Sequence, residues 1–373
     1  EFRRVLFRSP SILMKILDRY IAKTLLKYSL SVMVVLVGIF AFFKFLEEVG
    51  DIGRASYTLF DALAYVGLLI PSIVYALSSL IILLGCILGL GYLAGNSELI
   101  IMRGAGISVV EITKTTLKVS LVFIVIMIIF GEFISPLFSD YAKKYRAQAL
   151  GESVISSSQQ GFWLRDGNNF IQVDKNIDGR IFEKITLINL NTPSTLDSVV
   201  YSDKAVFDGK NMVLQKTNYH QINSNQEFAA IDQKTLQQYL TEVAFDQELI
   251  KSLKKEPKEF STWQLFRRVQ FLSNNDLSAD IYEVELYQRI MKPLTLIAMI
   301  ILSLPFVFGS LRDSSLGRKI FTGVVISLFF ELSSRLGGMI SLRFDLNHLL
   351  SASLPTVVVF VLAIFMLRRV STR

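Results

Sequence analysis

Several polar residues in this chain sit where apolar surroundings make them costly, and each has both an ordinary and a chemical reading. Lys44, in Phe42-Phe43-Lys44-Phe45, stands near the end of the first apolar run. A lysine at a bilayer centre costs about 2.5–3.5 kcal/mol on insertion scales, and less near an interface. Its amine can snorkel to the headgroups, or it can meet an anionic substrate. Glu331 and Arg335 are four residues apart in another apolar run, so on a helix they share a face and can pair. They read as a structural ion pair or as part of a substrate site. The segment Asn96-Ser97-Glu98-Leu99-Ile100-Ile101-Met102-Arg103-Gly104-Ala105-Gly106 is short and amphipathic and is closed by glycines suited to a helix end. It reads as an interfacial helix lying on a bilayer or as a plug for a cytoplasmic partner.

Other chemistries lack their residues. No G-x-x-x-x-G-K-[ST] is present to cradle nucleotide phosphates, and neither H-E-x-x-H nor G-x-S-x-G occurs. His220 and His348 are isolated and have no metal-ligand spacing. The single cysteine, Cys86, lies inside an apolar run and reads as a small buried residue. These patterns argue against an enzyme and imply no cofactor in this chain. The net charge of +7 falls beside the apolar runs, which suits a membrane surface better than nucleic acid.

The elements that must position these residues follow from the distribution of apolar residues. They make up 51% of the chain, piled near both ends around a middle of ordinary polarity. A spanning helix needs roughly 20 mostly apolar residues. Leu25 to Leu46 supplies one, Val109 to Phe133 another, and Ile290 to Leu311, Ile320 to Ile340 and Leu349 to Leu367 three more. Ser56 to Leu93 is too long for one simple span and too short for two with a turn. It reads as an approach portion over Tyr57 to Ile70, a kink at Pro71 and one main span. The expectation is therefore six transmembrane helices, three on each side of the polar middle. Glu1 to Leu13 looks foreign to the rest and reads as a non-native leader ahead of Met14, and the first apolar run is too long for a cleavable signal.

Loop charges orient these spans. Lys15, Arg19, Lys23 and Lys27 flank the first, and Arg103, Lys114 and Lys118 fall between the second and third. Arg312, Arg318 and Lys319 follow the fourth, and Arg368, Arg369 and Arg373 close the chain. The opposite connections are poorer, with Arg54 among Glu47, Glu48 and Asp51, and Arg343 beside Asp345. By the positive-inside rule both termini are cytoplasmic, and three spans then place the middle outside.

That middle has the texture of hairpins. Phe162-Trp163-Leu164 precedes Asp166-Gly167-Asn168-Asn169, Phe170 to Val173 precedes Asn176-Ile177-Asp178-Gly179, and Val199 to Val206 precedes Asp208-Gly209-Lys210-Asn211. Short strands punctuated this way predict an antiparallel sandwich or jelly roll. Such a fold can close as a scaffold or open as an apolar trough for acyl chains. Thr262 to Leu272 and Ser278 to Arg289 read as helices leading back to the membrane. The fold class expected is thus an α-helical membrane protein with an inserted β-jellyroll-like domain. Its parts are residues 14–140 with three spans and the short helix near 96–106, 141–260 with the strands, and 261–373 with a connecting helix and three spans.

Several motifs in this order resemble the lipopolysaccharide export system permease family. They are Leu17-Asp18-Arg19-Tyr20-Ile21, Ser97-Glu98-Leu99 with Gly104-Ala105-Gly106, Tyr145-Arg146-Ala147-Gln148-Ala149, and Gln159-Gln160-Gly161-Phe162-Trp163 followed by Asp166 to Phe170. Pro305-Phe306-Val307-Phe308-Gly309 with Leu311-Arg312 also fits, and the match runs from about Met14 onward. The third and fourth of these motifs are more similar to the LptG branch than to the LptF branch.

The resemblance implies a permease half of an ABC transporter in a bacterial inner membrane, with the strand domain in the periplasm. It would take lipopolysaccharide from the outer leaflet and pass it to a periplasmic bridge. Its implied partners are an LptF-like paralogous permease, an LptB-like ATPase dimer that uses ATP and Mg, and an LptC-like single-span protein. Glu98, Leu99 and Arg103 become ATPase-coupling residues. Lys44, Arg54, Lys143 and Arg146 become contacts to lipopolysaccharide phosphates, for which charge-assisted donors are the right chemistry. Family members carry extra lysines where this chain has Gly50 and Asp51, so the implied clamp is thinner here. The rival reading is a mechanotransmitting permease or membrane sensor that moves no lipid itself.

Overall fold

The computed structural model describes residues 10–151, 162–166, 168–176, 180–192, 195–208, 211–223, 230–242, 255–275, 277–308 and 315–371. The chain forms two compact units, one made of Glu1–Gly50, Val66–Asp140 and Asp280–Arg373, the other of Asp51–Tyr65 and Tyr141–Ala279.

The first unit is helical. Its elements are α1 (Pro10–Val49), α2 (Leu59–Ala76, shared with the second unit), α3 (Ser78–Gly95), α4 (Glu98–Gly104) and α5 (Val109–Ile129). A π-helical turn (Phe130–Ile134) then runs into α6 (Ser135–Ala149). Among the described residues, seven helices are long and apolar enough to cross a membrane. Five of the six expected spans fall on one such helix each, Ile290–Leu311 as far as its described residues, whereas the Ser56–Leu93 run, expected to hold one main span, forms two. That run is not broken where the sequence suggests. Pro71 lies inside α2, and the joint falls at Leu77 (φ −84°, ψ 0°). Helical hydrogen bonding carries through it, from Leu77 N–H to Ile73 O (3.0 Å) and from Ile81 N–H to Leu77 O (2.9 Å).

α3 is the packing centre and is apolar all round, as a helix enclosed by others must be. Two glycines four apart let α1 approach it. A Cβ on Gly85 would lie 2.8 Å from Ser29 Cα, and one on Gly89 would lie 3.4 Å from Leu25 Cα. Small residues at that spacing are how membrane helices gain close contact. Cys86 is buried in the same core, as its apolar context suggested. α5 opens on a capping box between Ser108 and Glu111, with Glu111 N–H donating to Ser108 Oγ (3.1 Å) and Ser108 N–H to Glu111 Oε2 (2.8 Å).

The second unit carries an antiparallel sheet. Its strands are β1 (Phe162–Asp166), β2 (Asn169–Asn176), β3 (Ile181–Thr192), β4 (Thr195–Phe207), β5 (Asn211–Asn223) and β6 (Ala230–Glu242). They pair in chain order in one six-stranded sheet. The inserted β domain is therefore present, and the meander order of its described strands refines the jelly-roll-like expectation. Register rows such as Ile171–Leu187–Val200–Tyr219 place apolar side chains on one face, as the period of two requires. Phe271 of α7 (Thr262–Asn274) packs on that core.

Beyond α7 the chain returns to the helical unit as α8 (Asp280–Phe308), α9 (Leu316–Phe344) and α10 (His348–Ser371). The two segments expected at Ser278–Arg289 and Ile290–Leu311 are one helix over Asp280–Phe308, α8, with Pro293 and Pro305 inside it, and the expected end at 309–311 lies outside the described residues.

Candidate functional site

Three polar constellations stand out. The first is a basic platform in the sheet-bearing unit. It starts in the turn after α1, where Gly53 (φ 90°) and Ala55 (φ 50°) take the left-handed region. Gly53 does so without steric cost, whereas Ala55 must be held there. Arg54 N–H donates to Asp51 O (3.2 Å) and Tyr57 N–H to Arg54 O (2.9 Å). Ser56 then fixes the turn to the end of α6 by donating its N–H (3.2 Å) and its Oγ–H (2.7 Å) to Ala149 O. Tyr145 of α6 donates its hydroxyl to Asp61 Oδ1 at 2.5 Å, and Asp61 Oδ2 also receives the Thr58 N–H and hydroxyl (2.8 and 2.6 Å). The loop and the helix end thus form one braced surface.

On this surface Asp51 joins two of the expected phosphate contacts. Arg54 Nη1 donates to Asp51 Oδ1 at 2.5 Å, and Arg146 Nη2 pairs with Asp51 Oδ2. The Arg146 guanidinium also lies 5.7 Å from the centre of the Tyr65 ring. Lys143 pairs with Glu259, in the 3₁₀ turn Pro257–Glu259. Lys44 lies in the other unit, exposed on α1, and donates to Glu47 Oε2 at 2.5 Å. All four cations named from sequence therefore hold a carboxylate, and only Arg54 and Arg146 share one.

The second constellation is α4. Its N-cap, Ser97, is left-handed (φ 62°) and makes no side-chain cap. Asn96 Nδ2 reaches Glu98 Oε1 at 3.5 Å instead. Leu99 is 3% exposed and belongs to the helical core, so it anchors α4 and is not presented outward. Arg103 is exposed, as are Ile100 and Ile101, the last at 67%. The two isoleucines were not singled out from sequence, although their place in an amphipathic heptapeptide was the available signal.

The third lies within the helical unit and was missed from sequence. Arg289 of α8 is buried, donates Nη1 to Gly131 O (3.2 Å), and stands 3.9 Å from Glu132 and 3.7 Å from Glu285. Its guanidinium lies 5.2 Å from the Tyr75 ring centre, with Lys292 Nζ 5.6 Å from the same ring. A π turn releases a carbonyl from the regular ladder, and here Arg289 takes the one on Gly131. Glu132 inside the third apolar run was the missed signal. Glu331 and Arg335 do pair, at 2.9 Å, and both are exposed. Lys319, counted from sequence as a loop charge, is buried and donates to Gly91 O at 3.1 Å.

Comparison with known proteins bears on the chain as a whole. The family model for "Lipopolysaccharide export system permease LptF/LptG" matches residues 19–369. The chain is 28% identical over 365 residues to the lipopolysaccharide export system permease protein LptG of Escherichia coli strain K12, covering 95% of this chain and 99% of that protein. It is 27% identical over 355 residues to the LptG of Haemophilus influenzae strain KW20, covering 95% and 98%. With its several long apolar helices this is a multi-pass inner-membrane protein, and the chain belongs to the lipopolysaccharide export system permease LptF/LptG family.

Proposed function

We propose that this chain is the LptG subunit of an ABC transporter that takes lipopolysaccharide from the outer leaflet of the inner membrane and passes it to a periplasmic bridge. The observation that carries this reading is the basic platform, where Arg54 and Arg146 are braced on a fixed surface in a chain of the lipopolysaccharide permease family. Phosphate binding needs such preorganised guanidinium donors. Lys143 and Lys44 add further cationic contacts to the substrate.

Energy comes from outside the chain. An LptB-like ATPase dimer using ATP and Mg docks on α4 through Glu98 and Arg103, while Leu99 keeps the helix seated so that their movement reaches the spans. An LptF-like permease completes the membrane body and an LptC-like single-span protein receives the lipid. In this reading the sheet faces the periplasm and both termini the cytoplasm, which the charge pattern of the loops supports.

The test uses the complete complex reconstituted in nanodiscs. Lipopolysaccharide should alter its ATP hydrolysis, and a photoreactive group beside Arg146 should crosslink the lipid. Arg146→Glu should reduce that crosslink about tenfold, since a reversed charge replaces attraction to the phosphate with repulsion. ATP hydrolysis with an unchanged crosslink would remove Arg146 from the substrate path. Hydrolysis with no crosslink anywhere on the chain would favour mechanical transmission over lipid transport.

A further inference from the structure

α7 has two faces, and the packing of its own unit uses one. Leu265, Arg268 and Leu272 recur at i, i+3 and i+7 and are buried, and Phe271 packs on the sheet core. The opposite face carries Trp263, Phe266, Arg267 and Gln270, all exposed. Trp263 is 62% and Phe266 49% exposed, and their rings stack with centres 6.0 Å apart. The Arg267 guanidinium lies 5.5 Å from the Trp263 ring centre. One exposed ring would need no explanation. A stacked pair with a cation on the indole is the composition found where membrane proteins meet lipid headgroups. A capping box fixes this turn, with Gln264 N–H donating to Ser261 Oγ (3.2 Å) and Ser261 N–H to Gln264 Oε1 (3.1 Å).

What this face meets follows from where the helix is tied. Just before the cap, Glu259 pairs with Lys143 of α6. α6 ends the long apolar helix Val109–Ala149. Phe133, Leu137 and Tyr141 recur on that helix at intervals of four and are all exposed, which is the stripe that a lipid-facing helix presents. The stripe stops at Tyr141, since Tyr145 is bound to Asp61 and positions 143, 144 and 146 are Lys, Lys and Arg. An aromatic followed by cations marks the passage from hydrocarbon to headgroups. Lys143 stands two residues beyond Tyr141 and Trp263 four beyond Glu259, so the ion pair ties the aromatic pair of α7 to the place where the span leaves the hydrocarbon. We propose that the outer face of α7 rests on the bilayer surface, with the Trp263 and Phe266 rings at the acyl boundary and Arg267 among the lipid phosphates. α7 is then an interfacial anchor for the sheet-bearing unit. The anchor concerns the bilayer alone, so it stands or falls apart from the identity of the transported lipid.

The chain has two tryptophans, Trp163 and Trp263, so Trp163→Phe leaves Trp263 as the sole indole. The full chain with this change is reconstituted in vesicles of phosphatidylcholine and phosphatidylglycerol in equal parts, with or without bromine atoms near the top of the acyl chains. Bromine quenches an indole only at contact. Trp263 should therefore lose most of its emission in the brominated vesicles and be little quenched by acrylamide from the water. Adding Phe266→Glu should restore the emission and open Trp263 to acrylamide at an unchanged thermal midpoint, whereas Phe266→Leu should keep the bromine quenching. Emission untouched by bromine and strongly quenched by acrylamide would show a face in water and overturn the proposal. Emission untouched by either would show a face covered by a second copy of the chain, and would overturn it too. Bromine quenching that survives Phe266→Glu would overturn the aromatic pair as the anchor.

Discussion

Arg146 and Arg289 show how differently two arginines can be used in one chain. Arg146 and its partner Asp51 are half-buried, with side chains 27% and 22% exposed, so water reaches the pair in part. Arg289 has a side chain only 4% exposed, with Glu132 and Glu285 within 4 Å and a carbonyl of the π turn as acceptor. Removing one member of a buried set leaves the others uncompensated, at a cost of about 3–5 kcal/mol. Arg289→Met should therefore lower the thermal midpoint of the purified protein substantially. Arg335→Met, which breaks a pair whose side chains are 61% and 46% exposed, should lower it less. Equal losses in thermal unfolding would refute this division. The sequence located the exposed cations because they flank apolar runs. It could not pair them, since Asp51 and Arg146 lie 95 positions apart and only the fold brings them together. Arg289 escaped notice because it directly precedes an apolar run and so reads as a flanking charge. Its burial arises from α8 continuing straight through that point.

Among the elements, α4 separates anchoring from docking within seven residues. Leu99 packs into the helical core while Ile101 is two-thirds exposed, and the two are too close in sequence for hydropathy to tell them apart. Leu99→Asp places a charge in a packed apolar site and should destabilise the chain itself, by about 3 kcal/mol or more. Ile101→Asp should leave the chain as stable as before and, on the proposed function, lower copurification of an ATPase partner, because charge at the centre of an interface is disfavoured. Copurification yield against thermal midpoint distinguishes the two, and loss of the ATPase from both at unchanged stability would remove Leu99 from its anchoring role. The same scale shows where pattern reading stops. The capping box at Ser108 and Glu111 is local and visible in the sequence. The joint at Leu77 is not, because no glycine or proline marks it, while Pro71, the conspicuous breaker, sits within a helix. Neighbouring helices and local adjustment can satisfy the carbonyl that a membrane-helix proline leaves unpaired, so proline alone does not locate a break.

For the whole molecule the two compact units differ in what made them legible. The helical one follows from the length and apolarity of its runs, and the strand-bearing one from alternation and turn residues. Both signals are short-range and survive without knowledge of packing. Orientation rests on a different quantity, the excess of Lys and Arg in alternate connections. Lys319 shows that such a charge can be buried on a backbone carbonyl, 3.1 Å from Gly91 O, and need not stand free in a loop. The rule nevertheless draws on several residues on each side, so losing one leaves the sign of the asymmetry intact. On the proposed orientation Asp203, exposed on β4, is expected in the periplasm and Arg103, exposed on α4, in the cytoplasm. In a Cys86→Ser background, Asp203→Cys should react with a membrane-impermeant maleimide on intact spheroplasts, and Arg103→Cys only after permeabilisation. The thiol of Cys86 is buried in the helical core, so the background substitution only guards against its labelling. The reverse labelling pattern would invert the chain and put α4 out of reach of any ATPase. Labelling of both sites before permeabilisation would mean that the spans do not alternate as the charges require.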